Sequence, residues 1–396
     1  MATPFTATVK SSGGDYATLS AAEAGLQNDL TAATIKVFSI SAYSAPTIVA
    51  GDTVLGQTSG ATGVCVLVNA ARTQILIKTI AVAAFQSGEV VQKTADAGVN
   101  VILSDAGDGP IIRVECYSVA DTSAVNITGW TTSATNYIRC YGAESDRTSS
   151  NTGKWSTERY TLTTAGSCIV LGEEYIRIEA LQLSNSAASG GYGIGFGTTA
   201  GEKHIIGNII RATGASPSMG IYMDDIGAGL YVYIINNIIY GWNTGIMWDY
   251  GNTINGAVYN NTVHGCIKGA SPRGIWLRGG TAENNLYLKN NLCNGNTTDY
   301  WTQGLEGSAT NLSEDATSPQ TGLRNLAVSF IDEGTNDFHL ASGDSYAKDA
   351  GTDLSADSYY PFSADIDGQT RSGTWDIGAD EYVAAGGKPW YYFAQQ

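Results

Sequence analysis

From about residue 110 onward the chain is written in short apolar runs broken by Gly and Asn, and two of these runs return with a fixed phase. An isoleucine stands at 169, 194, 221, 246 and 275, within Ser167-Cys-Ile-Val-Leu, Tyr192-Gly-Ile-Gly-Phe, Met219-Gly-Ile-Tyr-Met, Thr244-Gly-Ile-Met-Trp and Arg273-Gly-Ile-Trp-Leu. A second series, Asn208, Asn237, Asn261 and Asn291, follows it by 14 to 16 residues. Each unit carries three apolar runs, as in Gly245-Ile-Met-Trp, Ala257-Val-Tyr and Thr262-Val-His, with Gly and Asn where the backbone must turn through left-handed conformations. Three short strands in a repeat of about 25 residues predict an all-β fold, a right-handed parallel β-helix.

Strands one turn apart lie about 4.8 Å from each other, so repeated side chains should stack. Asn208, Asn237, Asn261 and Asn291 are then a ladder that satisfies its own amides, and removing one rung, as in Asn237→Leu, should cost about 1–3 kcal/mol. Extended in both directions, the period predicts coils from about 110 to about 340, about eight turns. If Ile194, Ile221, Ile246 and Ile275 point inward, so do Phe196, Met223, Trp248 and Leu277 two residues later. The outward columns are then Gly195, Tyr222, Met247, Trp276 and Gly197, Asp224, Asp249, Arg278.

A solenoid must cover its end strands. Between 15 and 30, Thr18 suits a helix N-cap and Leu19, Ala22, Leu26 and Leu30 have helical spacing, which predicts a short helix closing the N-terminal end. Alternating strands with Gly-rich turns, without the coil period, follow in Gly51–Val68, Gln74–Lys78 and Glu89–Lys93. The predicted division is 1–42 for the cap and first strands, 43–108 for an inserted small β module, 109–345 for the parallel β-helix and 346–384 for a C-terminal cap. Residues 385–396 form a tail whose Trp390, Tyr391, Tyr392 and Phe393 follow a Gly-Gly hinge and suit docking on a partner.

Composition narrows the function classes. Only 15% of residues are charged and 48 of 396 are Gly, which argues against a helical bundle, while 43% hydrophobic residues suffice for a large core. A net charge of −16 disfavours nucleic acid and anionic membrane as partners, and no apolar run approaches the length of a membrane span. The first ten residues lack a basic region followed by an apolar one, so the expected location is the compartment of synthesis, with release by lysis. Cys65, Cys116, Cys140, Cys168, Cys266 and Cys293 are widely spaced and read as buried thiols; His204, His264 and His339 are too scattered to suggest a metal cluster.

With these residues in view, the chain resembles the pectin-lyase-like parallel β-helix superfamily. It is similar to the subgroup that opens with Gly-Gly-Asp-Tyr-Ala-Thr-Leu (Gly13 to Leu19) and closes with Asp-Ile-Gly-Ala-Asp-Glu (Asp376 to Glu381). The stretch Gly-Gln-Thr-Ser-Gly-Ala-Thr-Gly (Gly56 to Gly63) resembles β modules of tailed-phage head and tail proteins. The superfamily includes pectate lyases, polygalacturonases, phage tailspikes and trimeric virion proteins, so the resemblance implies a fold and leaves the activity open.

The leading expectation is a non-enzymatic structural component of a tailed-phage virion, a head decoration or tail protein. It would be assembled in the host cytoplasm as a homotrimer, with other virion proteins as partners and no cofactor. The alternative is an extracellular glycan-binding or glycan-cleaving protein acting on host-surface polysaccharide. There Tyr222, Met247 and Trp276 would hold the sugar, and Asp224 and Asp249 one turn apart would either supply the carboxylate pair of a glycosidase or hold a Ca²⁺ ion that acidifies a uronic-acid substrate, with Arg278 or Arg273 as base. Asp365, Asp367, Asp376 and Asp380, with Glu381, could hold Ca²⁺ through hard oxygen ligands, but their spacing is not that of an EF-hand loop, and Asp-Gly beside Arg371 also suits a hairpin.

Overall fold

The computed structural model of the chain describes residues 2–81, 83–148, 151–197, 200–224, 229–249, 254–278, 285–303 and 307–384. Two compact units divide it, residues 1–119 with 127–141, and residues 120–126 with 142–396.

In the first unit the strand Thr3–Val9 pairs in parallel with Pro110–Cys116, and its alternating burial places Phe5, Ala7 and Val9 inside. Between these two coil strands the chain makes a helix and a barrel. The helix, Leu19–Leu26, begins at Thr18, whose side chain accepts from the Ala21 amide, and it buries Leu19, Ala22 and Leu26. Six strands, Ile35–Tyr43, Thr53–Gly56, Thr62–Val68, Gln74–Thr79, Val90–Lys93 and Asp96–Leu103, then close into an antiparallel barrel filled by Phe38, Ile75, Ile77, Val91, Val101 and Leu103. The module thus starts at Ile35 and not at residue 43. Ile35–Tyr43 pairs antiparallel with Gln74–Thr79 and with Asp96–Leu103, and alternation within one strand cannot distinguish that setting from a coil.

The second unit is a parallel β-solenoid of about six turns. Its first sheet runs through Tyr175–Glu179, Gly201–Ile206, Leu230–Ile235, Ile254–Tyr259 and Asn285–Lys289. The second contains Ile169–Leu171, Tyr192–Phe196, Met219–Asp224, Thr244–Asp249, Arg273–Arg278 and Tyr300–Gln303. The third runs from Ala120–Asp121 to Leu312–Ser313. Ile169, Ile194, Ile221, Ile246 and Ile275 lie in one register column, fully buried, with Tyr300 as the next member. Met223, Trp248 and Leu277 fill the second inward column.

One corner of five successive turns is built from a residue in the left-handed region followed by Asn. Gly207, Asn236, Asn260, Asn290 and Thr310 have φ of 65, 53, 50, 56 and 52°; Gly and Asn reach this region at little cost. The following residues stack. The side-chain amide of Asn208 donates to Asn237 Oδ1 (3.0 Å), Asn237 to Asn261 (3.0 Å), Asn261 to Asn291 (3.0 Å) and Asn291 to Asn311 (2.8 Å). Gln320 ends the ladder by accepting from Asn311 at 3.0 Å.

The parallel strands stop at Leu312–Ser313, short of residue 340. Beyond it Phe330–Asp332 and Asp337–Leu340 pair antiparallel, in a stretch without the Gly-Ile and Asn markers. The rest of the chain to 382 does not simply cover the end of the coil. It runs along three successive corners, where Asn236, Asn260 and Asn290 donate to the carbonyls of Ala364, Gly378 and Thr352 at 2.6, 3.0 and 2.8 Å. This strap buries the outer side of the first sheet beneath Leu354 and Trp375 and that of the third beneath Phe338, Ile366 and Ile377.

Candidate functional site

The second sheet carries the outward row expected from the register. Gly195, Tyr222, Met247, Trp276 and Trp301 are consecutive neighbours across its strands. Gly195 leaves room for the Tyr192 ring, which a Cβ there would meet at 3.0 Å, and Tyr192 stacks on Tyr222 with ring centres 4.6 Å apart. Trp276 and Trp301 meet edge to face at 5.1 Å, and the Arg273 guanidinium lies 4.0 Å from the first ring and 4.7 Å from the second. Met247, between these two pairs, is only 5% exposed and offers no open platform. The row can stack planar or apolar groups and hold a cation over its rings. The backbone sets Asp224 beside Asp249, and Arg278 beside Gln303. The side chains of Asp224, Asp249 and Arg278 lie outside the described residues, as do Trp390, Tyr391, Tyr392 and Phe393.

A second concentration of polar chemistry lies where the strap meets the coil. Asp365 and Gln369 close a hairpin over Gly368, whose φ is 84°. Arg371, 3% exposed, donates to the carbonyls of Gly378 (2.9 Å) and Ala379 (2.8 Å), to Asn236 Oδ1 (3.2 Å) and to Glu381 Oε2 (3.3 Å). Most of the nearby carboxylates accept main-chain amides. Asp365 takes those of Asp367, Gln369 and Glu381, Asp376 takes Asp349 and Tyr382, and Asp380 takes Leu340. The Asp-Ile-Gly-Ala-Asp-Glu motif is therefore a self-bonded knot around one guanidinium.

His339 joins this knot to the loop 151–154. Its Nδ1 donates to Asp337, and its Nε2 lies 3.2 Å from Asp367 Oδ2. Lys154 reaches the other Asp337 oxygen at 3.3 Å. Gly153, with φ of 62°, passes so close that a Cβ would lie 2.2 Å from His339 Nε2. Burial opposes a charged imidazole, but hydrogen bonds to Asp337 and Asp367 and the nearby Asp380 outweigh it and push its pKa up to about 11. His339, Asp367 and Asp380 bring ligand atoms within 4.8 Å of one another, the only such trio among the described residues. An imidazolium donating from both nitrogens has no lone pair for a metal, and Asp365 and Asp376 are turned to amides elsewhere.

The same burial pushes Asp376 up to about 7 and Asp380 up to about 6. Both bind protons more tightly folded than unfolded, so they stabilise below about pH 4 and lose that contribution as pH rises through 6 to 7. His339 has the same sign, with its contribution complete below its ordinary value of 6.5 and lost only near 11. Asp337 and Asp367 are held below the usual carboxylate range, where hydrogen bonds from His339 overcome burial, and they oppose this only in strong acid. Stability should thus fall between about pH 4 and 7, by up to about 1.4 kcal/mol per pH unit for each carboxyl. Chemical denaturation across this range should show a shallower slope for Asp376→Asn; an unchanged slope would rule the assignment out.

The remaining histidines are held by neighbours. His204 lies between Glu202, Tyr233 and Tyr360, and His264 packs on Phe330 and Phe338. All six thiols are buried. Sequence reasoning passed over Asn311, which follows Asn291 by 20 residues rather than 24 to 30, and also the Asp337–His339 pair, whose spacing of two on one strand puts both on one face. Comparison with known proteins returns nothing: no protein family, no curated protein and no solved structure matches the chain.

Proposed function

We propose that this chain is a structural component of a tailed-phage virion, a head decoration or tail protein that assembles as a homotrimer and performs no chemistry of its own. The observation that carries the reading is the use of the buried ionisable groups. Arg371, His339, Asp365, Asp367, Asp376, Asp380 and Glu381 are spent on bonds that knit the strap to itself, with Arg371 also tying it to Asn236 of the coil, which suits a particle component selected for endurance. The Gly56 to Gly63 resemblance to phage head and tail modules supports it further, as does a barrel set between two coil strands. The aromatic row of the second sheet, with Arg273 over two tryptophans, is the surface we assign to subunit contact.

Native mass measurement tests this. The expected result is an assembly of three 41.5 kDa chains, with Trp276 shielded from an aqueous quencher and no turnover of acidic polysaccharides. The same row favours a second reading, since stacked rings also suit sugar faces. A monomer that cleaves polysaccharide, with activity lost in Asp224→Asn and Asp249→Asn, would replace the structural reading with the glycan one.

A further inference from the structure

The strand Thr3–Val9 is the outermost member of its sheet, paired on one side with Pro110–Cys116. Such an edge presents a row of main-chain donors and acceptors to any passing strand. Here each outward-facing group from the Pro4 carbonyl to the Lys10 amide has a partner, and none of those partners is a neighbouring strand of the sheet. Gln74 Nε2 donates to the Pro4 carbonyl at 2.7 Å, and the Thr6 amide donates to Gln74 Oε1 at 3.3 Å. Asn69 Nδ2 reaches the Thr6 carbonyl at 3.4 Å. The Thr8 amide donates to Asp15 Oδ2 at 2.8 Å, its carbonyl accepts from the Asp15 and Tyr16 amides, and the Lys10 amide donates to the Tyr16 carbonyl at 3.0 Å.

Gln74 and Asn69 belong to the barrel. A primary amide carries a donor and an acceptor side by side, as a peptide unit does, so Gln74 occupies the place that a peptide of the next strand would take. Asn69 is itself fixed, only 5% exposed, with its Oδ1 accepting from the amides of Thr73 (2.9 Å) and Gln74 (3.1 Å). Pro4, which has no amide to offer, completes the blunting of this edge.

We infer that the inserted barrel closes the first edge of the coil, through Gln74 and Asn69, against strand addition by a second copy of this chain. An uncovered Thr3–Val9 edge is self-complementary. Two copies turned antiparallel about Phe5 would set each Thr6 amide against the other copy's Pro4 carbonyl, the two groups that Gln74 holds, and would leave the Thr8 contacts to Asp15 and Tyr16 in place. Such pairing is two-fold and closes on itself, so it doubles an assembly and does not extend into a fibre.

The test uses the full chain with Asn69→Ala and Gln74→Ala combined. Sedimentation over a range of concentrations should show the wild-type mass giving way to twice that mass as concentration rises. Adding Thr6→Pro, which removes that amide, should return the wild-type mass. A double variant with wild-type circular dichroism that keeps the wild-type mass throughout overturns the inference. Should the double variant fail to fold, amide exchange in the wild-type chain decides. Thr6 and Thr8 should be as slow as the amides that pair with Pro110–Cys116, and Thr6 exchanging like an open peptide overturns the inference equally.

Discussion

Replacing His339 by Leu should destabilise the second unit by about 3–5 kcal/mol, the cost of removing one partner from a buried ionic network. The imidazolium sits between Asp337 and Asp367, with Asp380 beside it. Asp367 is 7% exposed and Asp337 8%, so neither carboxylate can recover by hydration. Without His339, Asp337 keeps Lys154, and Asp367 keeps the Thr152 hydroxyl, a 3.3 Å contact from Gln369 Nε2 and the nearby charge of Arg147, but loses its direct ionic partner. Denaturant titration followed by circular dichroism measures the loss. Asp367→Asn in the His339→Leu background should recover part of it, because a neutral amide is cheaper to bury than an unpaired carboxylate. A loss below about 1 kcal/mol for His339→Leu would mean that the cluster is hydrated and its charges individually dispensable.

Asn237→Leu should cost about 3–5 kcal/mol, more than a single lost hydrogen bond, because one rung serves both neighbours and the main chain. Asn237 Oδ1 accepts from the main-chain amide of Asn208 at 2.9 Å and from its side-chain amide at 3.0 Å. Its own Nδ2 donates to the Ile205 carbonyl at 2.8 Å and to Asn261 Oδ1 at 3.0 Å. Leucine orphans two donors and a carbonyl at a position with no exposure, where water cannot replace them. Gln320→Leu, at the end of the ladder, orphans the Asn311 main-chain and side-chain amides beside a half-buried position and should cost less. Equal midpoints for Asn237→Leu and the wild type would show that the ladder repacks without loss.

The repeat was legible because it is local and periodic. Ile194, Ile221, Ile246 and Ile275 recur at the length of one turn, and a side chain that must fill the same interior at each turn leaves the same letter at the same interval. The Asn-Asn doublets are visible for the same reason, although only their second members, Asn237, Asn261 and Asn291, reveal a role to spacing. The helix Leu19–Leu26 was legible from its cap and its 3.6-residue period. What depends on residues far apart in the chain was not. Thr262 takes the Ala379 amide from 117 residues away, Arg371 reaches Asn236 across 135, and His339 meets Asp367 across 28, and no interval in the sequence marks these pairs. Nor could one alternating strand, Ile35–Tyr43, declare that both its edges would be closed antiparallel in a barrel and not parallel in a coil. Alternation reports that one face is buried, and only the chain returning from elsewhere decides what buries it.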